Sequence, residues 1–175
     1  MSNLKTGNAP SLSVVVPHFI FSALSFLCLT VFIFLTGTDV LGPYFNSKLL
    51  AITHLAVLGW ASMLAFGALY QLIPVVFETA LYSELLAKIT FWIFAIAIFL
   101  LVYAFWTSAF GTTLLYASSL MFIALFGFIG NVLLSQRRGK QNIQSRYVVT
   151  AILWLLLTAL FGLLIAINFR YPFLS

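Results

Sequence analysis

Residues 48–76 read KLLAITHLAVLGWASMLAFGALYQLIPVV, an apolar run with one imidazole, His54, well inside it. A helix needs about 20 apolar residues to cross some 30 Å of hydrocarbon, so this run is long enough to span a bilayer. An ionisable side chain at such a depth is costly unless it has a partner, which makes His54 a candidate functional residue.

The rest of the chain places that run in context. Of 175 residues, 63% are hydrophobic and 6% charged, far from the roughly 25% charged residues of a soluble domain. Five apolar runs near 14–36, 48–76, 85–107, 112–134 and 147–167 have spanning length. With lipid outside, each backbone polar group must pair within its own helix. The expected fold is all-α: a single membrane domain over 1–175, a polytopic bundle of about five transmembrane helices in contact with lipid. The connections Thr36–Ser47, Phe77–Glu84, Ser108–Gly111 and Ser135–Arg146 are too short for a further domain.

The net charge of +5 does not point to nucleic acid. If the spans alternate, Lys5, Arg137, Arg138, Lys140 and Arg146 fall on one side with Lys88 nearby, while Lys48 and Arg170 fall on the other. Positive residues in short loops mark the cytoplasmic face, which predicts the N-terminus inside and the C-terminus outside. The basic run QRRGKQNIQSR at 136–146 then serves topology. Tyr44, Tyr82, Trp106, Tyr147 and Tyr171 lie near proposed span ends, as interfacial aromatics do. The run from Val14 to Leu35 exceeds the apolar core of a cleaved signal peptide and reads as an uncut anchor. Cys28, the only cysteine, has no intrachain partner and is expected to pack.

On a wheel of about 100° per residue, His54, Leu58, Ala61, Ala65, Ala68 and Leu72 share one face of the second span. Alanines below a histidine leave a shallow groove in which a flat macrocycle can lie. Gly59, Met63, Gly67 and Tyr70 fall on the opposite face, where small residues admit another helix. The readings of His54 are a haem or metal ligand, a hydrogen bond between helices, and a proton-relay or gating role. His18 follows Pro17 near the start of the first span, where an interfacial or capping role is expected, with a second ligand site as the alternative. With the N-terminus inside, the two histidines differ in depth by about 10–20 Å at 1.5 Å per residue, too far to share one iron within a chain.

Other polar residues carry structural expectations. Glu84 and Lys88 stand four apart in the order that favours a helical ion pair. Gln71 and Pro74 end the second span, and Glu78 is a solvated loop carboxylate rather than a proton entry. Gly127 and Gly130 beside Asn131 suggest close packing, since no strand and no Lys-Ser/Thr pair supports a phosphate loop. The chain has no Ser-His-Asp set, no cysteine cluster and no His-x-x-x-His pair.

The stretches PHFIFSALSFL, from Pro17, and ITHLAVLGWASMLAFGALYQLIPVV, to Val76, resemble the opening helices of the haem–copper oxidase large-subunit superfamily, including its nitric-oxide-reductase relatives. In that superfamily the second helix carries an axial histidine for the low-spin haem near the outer membrane side. The resemblance covers residues 17–76 and the pattern H-x4-G-x7-G from His54 through Gly59 and Gly67. It implies haem b on His54, with Ala61 and Ala65 lining the haem-facing groove and His18 as a weaker candidate. It also implies a bacterial inner-membrane location and a role in electron transfer or in binding O2 or NO. The chain departs from the family by lacking the further haem ligands and the copper-ligand histidines carried on later helices, so no copper site is expected. By itself it cannot build the binuclear centre and is not a complete oxidase. It reads as a partial product, a split-gene component, or a small relative whose haem is completed by a homo-oligomer or a further oxidase-type subunit. The alternative is a non-enzymatic membrane subunit or small transporter in which His54 is structural.

Overall fold

The computed structural model describes residues 8–37 and 46–173. Lys5, Tyr44 and most of the Thr36–Ser47 connection lie outside the described residues. Five long helices follow one another: α1 (Leu12–Thr36), α2 (Ser47–Val76), α3 (Glu84–Trp106), α4 (Thr112–Arg138) and α5 (Ile143–Arg170). All five are long and apolar enough to cross a membrane, and no strand occurs among the described residues. The chain is an all-α integral membrane bundle, as its composition requires.

Helix starts follow local chemistry. The Asn46, Ser83 and Asn142 side chains accept hydrogen bonds from the amides of Lys48, Leu86 and Ser145, satisfying donors that open α2, α3 and α5. Inside the helices hydroxyls turn back on their own backbone: Thr90, Ser118, Ser119 and Thr158 each donate to a carbonyl one turn earlier. That removes polar groups from hydrocarbon without a second helix. α4 runs past the apolar stretch to Arg138, and α5 begins at Ile143, four residues ahead of its apolar run. Hydropathy marks the spanning part of a helix and not its polar ends.

Successive helices run antiparallel. α1 packs on α2, α2 on α3, α3 on α4 and α4 on α5, with α1 also touching α3. α3 and α4 are the most buried, whereas α5 rests mainly on α4 and buries little of its surface. The core between the first four helices is aromatic: Phe66 stacks on Phe128 at 3.9 Å between ring centres and tilts against Phe94 at 5.2 Å. Leu24, Leu27, Phe34, Trp92, Phe99, Phe126, Trp154 and Phe161 lie on the outside, the surface a lipid-facing bundle presents.

The two ends of the bundle differ. One carries the starts of α1, α3 and α5 and the ends of α2 and α4, and so gathers Glu78, Glu84, Lys88, Arg137, Arg138, Lys140 and Arg146. It is tied across elements. The Ser11 amide and hydroxyl donate to the two oxygens of Glu84 at 2.8 and 2.6 Å. Asn142 donates to the Val76 carbonyl, and Lys140 pairs with Glu78 at 2.6 Å. Gly139 sits against the Phe77 backbone so closely that any Cβ would collide with its carbonyl oxygen. The opposite end carries Lys48, over Trp106, and Arg170, over Tyr171.

Several expectations need correction here. Glu84 directs its carboxylate to the two donors at Ser11 and feels Lys88 through its charge, with no close Glu84–Lys88 salt bridge among the described residues. Gly127 does admit a close neighbour, its virtual Cβ lying 2.5 Å from Thr90 Cγ2, but Gly130 faces open space. Cys28 lies on the exposed side of α1 rather than in the packing.

Candidate functional site

The second span is not one regular helix. Residues 47–54 and 63–76 are α-helical, but Leu55–Ser62 between them forms π turns, beginning directly after His54. A π turn closes its ring from i to i+5 and takes one more residue than an α turn; such stretches are frequent at functional sites. α1 supports the wide turn. Ser22 donates to the Trp60 carbonyl at 2.9 Å, and Ser62 donates to the Val57 carbonyl at 2.8 Å. Gly59 lets Ser25 of α1 approach, with the virtual Cβ only 2.9 Å from Ser25 Oγ.

His54 ends the first α-helical part. Its Nδ1 donates to the Leu50 carbonyl at 2.7 Å, one turn earlier. The acceptor is a carbonyl, so this nitrogen carries the proton and a neutral ring offers the Nε2 lone pair. The ring is half-buried and tilts against Phe105 of α3, centres 4.5 Å apart. A histidine fixed at one nitrogen by a carbonyl and open at the other is the usual state of a metal-binding imidazole. Thr53 donates to Leu49 and takes no part.

The wheel's single face from His54 to Leu72 is divided in the structure. His54 faces α3, whereas Ala65, Ala68, Leu69 and Leu72 form one wall of a groove of about 410 Å³ whose other wall is Val148, Ala151, Ile152 and Leu155 of α5. Phe66 and Phe128 lie at its base. Neither His54 nor Ala61 lines this groove, and Ala61 is exposed. A wheel with a constant angular step fails across the π turns, because each wide turn rotates the residues after it relative to those before it. The opposite face behaves as expected: Gly59, Met63, Gly67 and Tyr70 are all buried against neighbouring helices.

His18 does not cap its helix. The N-cap of α1 is Ser11, and His18 lies six residues beyond Leu12, 2% exposed. It packs against Gly67, whose virtual Cβ would stand 2.9 Å from His18 Cβ, and against the rings of Tyr70 and Phe91. Its Nδ1 donates to the Val14 carbonyl at 2.8 Å. Because His18 abuts Gly67, thirteen residues beyond His54, the histidines stand about 20 Å apart along α2 at 1.5 Å per residue. They cannot bind one iron within a chain. No group of three or more His, Cys, Asp or Glu side chains converges among the described residues.

Sequence reasoning missed the π stretch and the helix-to-helix bond from Ser22. The available hint was the pair Ser22 and Ser25 on α1, spaced to face Gly59 and Trp60. No family model matches the chain, and no curated protein matches it.

Proposed function

We propose that the chain is a haem-binding membrane module in which His54 is an axial ligand of haem b. The observation that carries this reading is the state of His54: Nδ1 is held by the Leu50 carbonyl, the ring is braced by Phe105, and Nε2 has no partner among the described residues. The donor set fits a haem bound through one axial imidazole from this chain. Bound there, haem supplies one-electron transfer or an iron that takes up a gas such as O2 or NO. The chain's own part is to hold the ring, to fix its tautomer, and to present Nε2 at the start of the π turns. Ala61 is exposed within the π stretch, and Ala65 belongs to the groove further along.

A second ligand would have to come from another copy or from a further oxidase-type subunit, since His18 is buried about 20 Å away. The resemblance of residues 17–76 to the opening helices of haem–copper oxidase large subunits supports the same reading. The gathering of positive charge at the end that carries the N-terminus of α1 favours that end on the cytoplasmic side of a bacterial plasma membrane.

Titration of haemin into the purified protein in detergent tests the assignment. Wild type and His18→Phe bind with a Soret shift, and His54→Ala does not. A second reading, a non-catalytic membrane subunit in which His54 only packs on Phe105, predicts no pigment in any of the three and a stability loss in His54→Ala.

A further inference from the structure

A second feature lies between α2 and α5, away from His54. At the basic end these helices are tied: the Asn142 side chain donates to the Val76 carbonyl and the Lys140 amide to the Phe77 carbonyl, each at 2.8 Å. Below that tie α5 packs on α4 rather than on α2, and the groove of about 410 Å³ opens between them.

The two walls are level. Leu72 and Ala65 stand four and eleven residues from Val76, while Val148 and Leu155 stand five and twelve residues from Ile143. At 1.5 Å per residue both walls run from about 6–8 Å to about 17–18 Å below the basic end. The hydrocarbon of a bilayer is about 30 Å thick, so that range of depth belongs mainly to one leaflet. Ala65, Ala68 and Ala151 keep the groove open, and among the described residues no polar side chain lines it. Its chemistry suits an acyl chain.

Positive charge stands above it. Lys88, Arg137, Arg138, Lys140 and Arg146 gather at this end with the carboxylates of Glu78 and Glu84. Both carboxylates are engaged, Glu78 by Lys140 and Glu84 by Ser11. The Arg137 and Arg146 side chains are exposed. Arg146 lies two residues before Val148, the first groove residue of α5, and the exposed Gln144 lies one turn before it on the same face. An arginine stem can lie along apolar surface while its guanidinium stays in water. An anion that carries an acyl chain satisfies the groove and the charge together.

We propose that the groove holds one acyl chain of an anionic phospholipid from the leaflet at the basic end, with the phosphate drawn to Arg137 and Arg146. The tie at Val76 closes the polar end to a transmembrane helix, which would have to run on through the Lys140 turn. A flexible chain turns outward beneath it. The bound lipid also braces α5, which otherwise rests mainly on α4.

Native mass spectrometry of the detergent-purified protein, titrated with dioleoyl phosphatidylglycerol or dioleoyl phosphatidylcholine, tests the site. The expected result is one phosphatidylglycerol held per chain in preference to phosphatidylcholine. Ala151→Phe, which fills the groove from an exposed position, removes the retained lipid. Arg137→Gln combined with Arg146→Gln leaves the groove intact and lowers the preference by about fivefold per charge. Equal retention of the two lipids, a lipid still held by Ala151→Phe, or an unchanged preference in the double variant overturns the proposal. So does a dimer that forms without lipid and is lost in Ala151→Phe, because the occupant is then a second copy.

Discussion

Gly67→Ala isolates the packing on which the α1–α2 contact rests. The new Cβ would stand 2.9 Å from His18 Cβ, with Phe19 Cζ and the Val15 carbonyl oxygen at 3.5 Å. Carbons pack best at about 3.5–4.0 Å, so the contact must open by about 0.6–1.1 Å. His18 Cβ is rigidly attached to the α1 backbone and cannot swing aside, so the helices themselves must part. Overpacking of this kind costs about 1–3 kcal/mol, and alanine returns up to about 1 kcal/mol through helix propensity. Gly130→Ala is the matched control, because nothing lies within 4 Å of its virtual Cβ. The two variants share the propensity gain and differ only in the clash. Unfolding in mixed micelles by increasing SDS, followed by tryptophan fluorescence, should separate them by about 1–3 kcal/mol, with Gly67→Ala the less stable. Equal midpoints would refute the close approach of α1 and α2 at this level.

Asn131→Ala should lose about 2 kcal/mol or more by SDS unfolding, since it orphans the amide and carbonyl of Ser83 together. Lys140→Ala should change stability by less than about 1 kcal/mol, because its pair with Glu78 is solvent-exposed. A cysteine placed at Lys140 in a Cys28→Ser background should react with a membrane-impermeant maleimide in inverted vesicles and not in spheroplasts; the reverse pattern would place the basic end outside. Ser22→Ala should lower the unfolding midpoint by leaving the Trp60 carbonyl without its donor in the π stretch, and an unchanged midpoint would show that α1 does not hold the wide turn.

Much of the architecture is legible from hydropathy alone. Five apolar runs become five spanning helices, and the buried face of Gly59, Met63, Gly67 and Tyr70 agrees with ordinary helical spacing. The candidate site is less legible, for two physical reasons. The π turns at Leu55–Ser62 depend on support from another helix, Ser22 reaching Trp60, and no periodicity within the second span encodes that contact. A constant-step wheel therefore carries His54 and Ala65 to one face although they meet different helices. The depth of His18 escapes hydropathy because the helix begins before the apolar run does, at Leu12, anchored by Ser11 on Glu84 across 73 residues of sequence.

The most direct test of the central claim is the reduced-minus-oxidised absorption spectrum of the protein purified from haem-replete membranes, beside that of His54→Ala. The Soret and α bands of a b-type haem are expected in wild type, and their loss in a variant that remains folded and helical. A folded wild-type protein without pigment, or a variant that keeps the full spectrum, would contradict the assignment of His54 as the haem ligand.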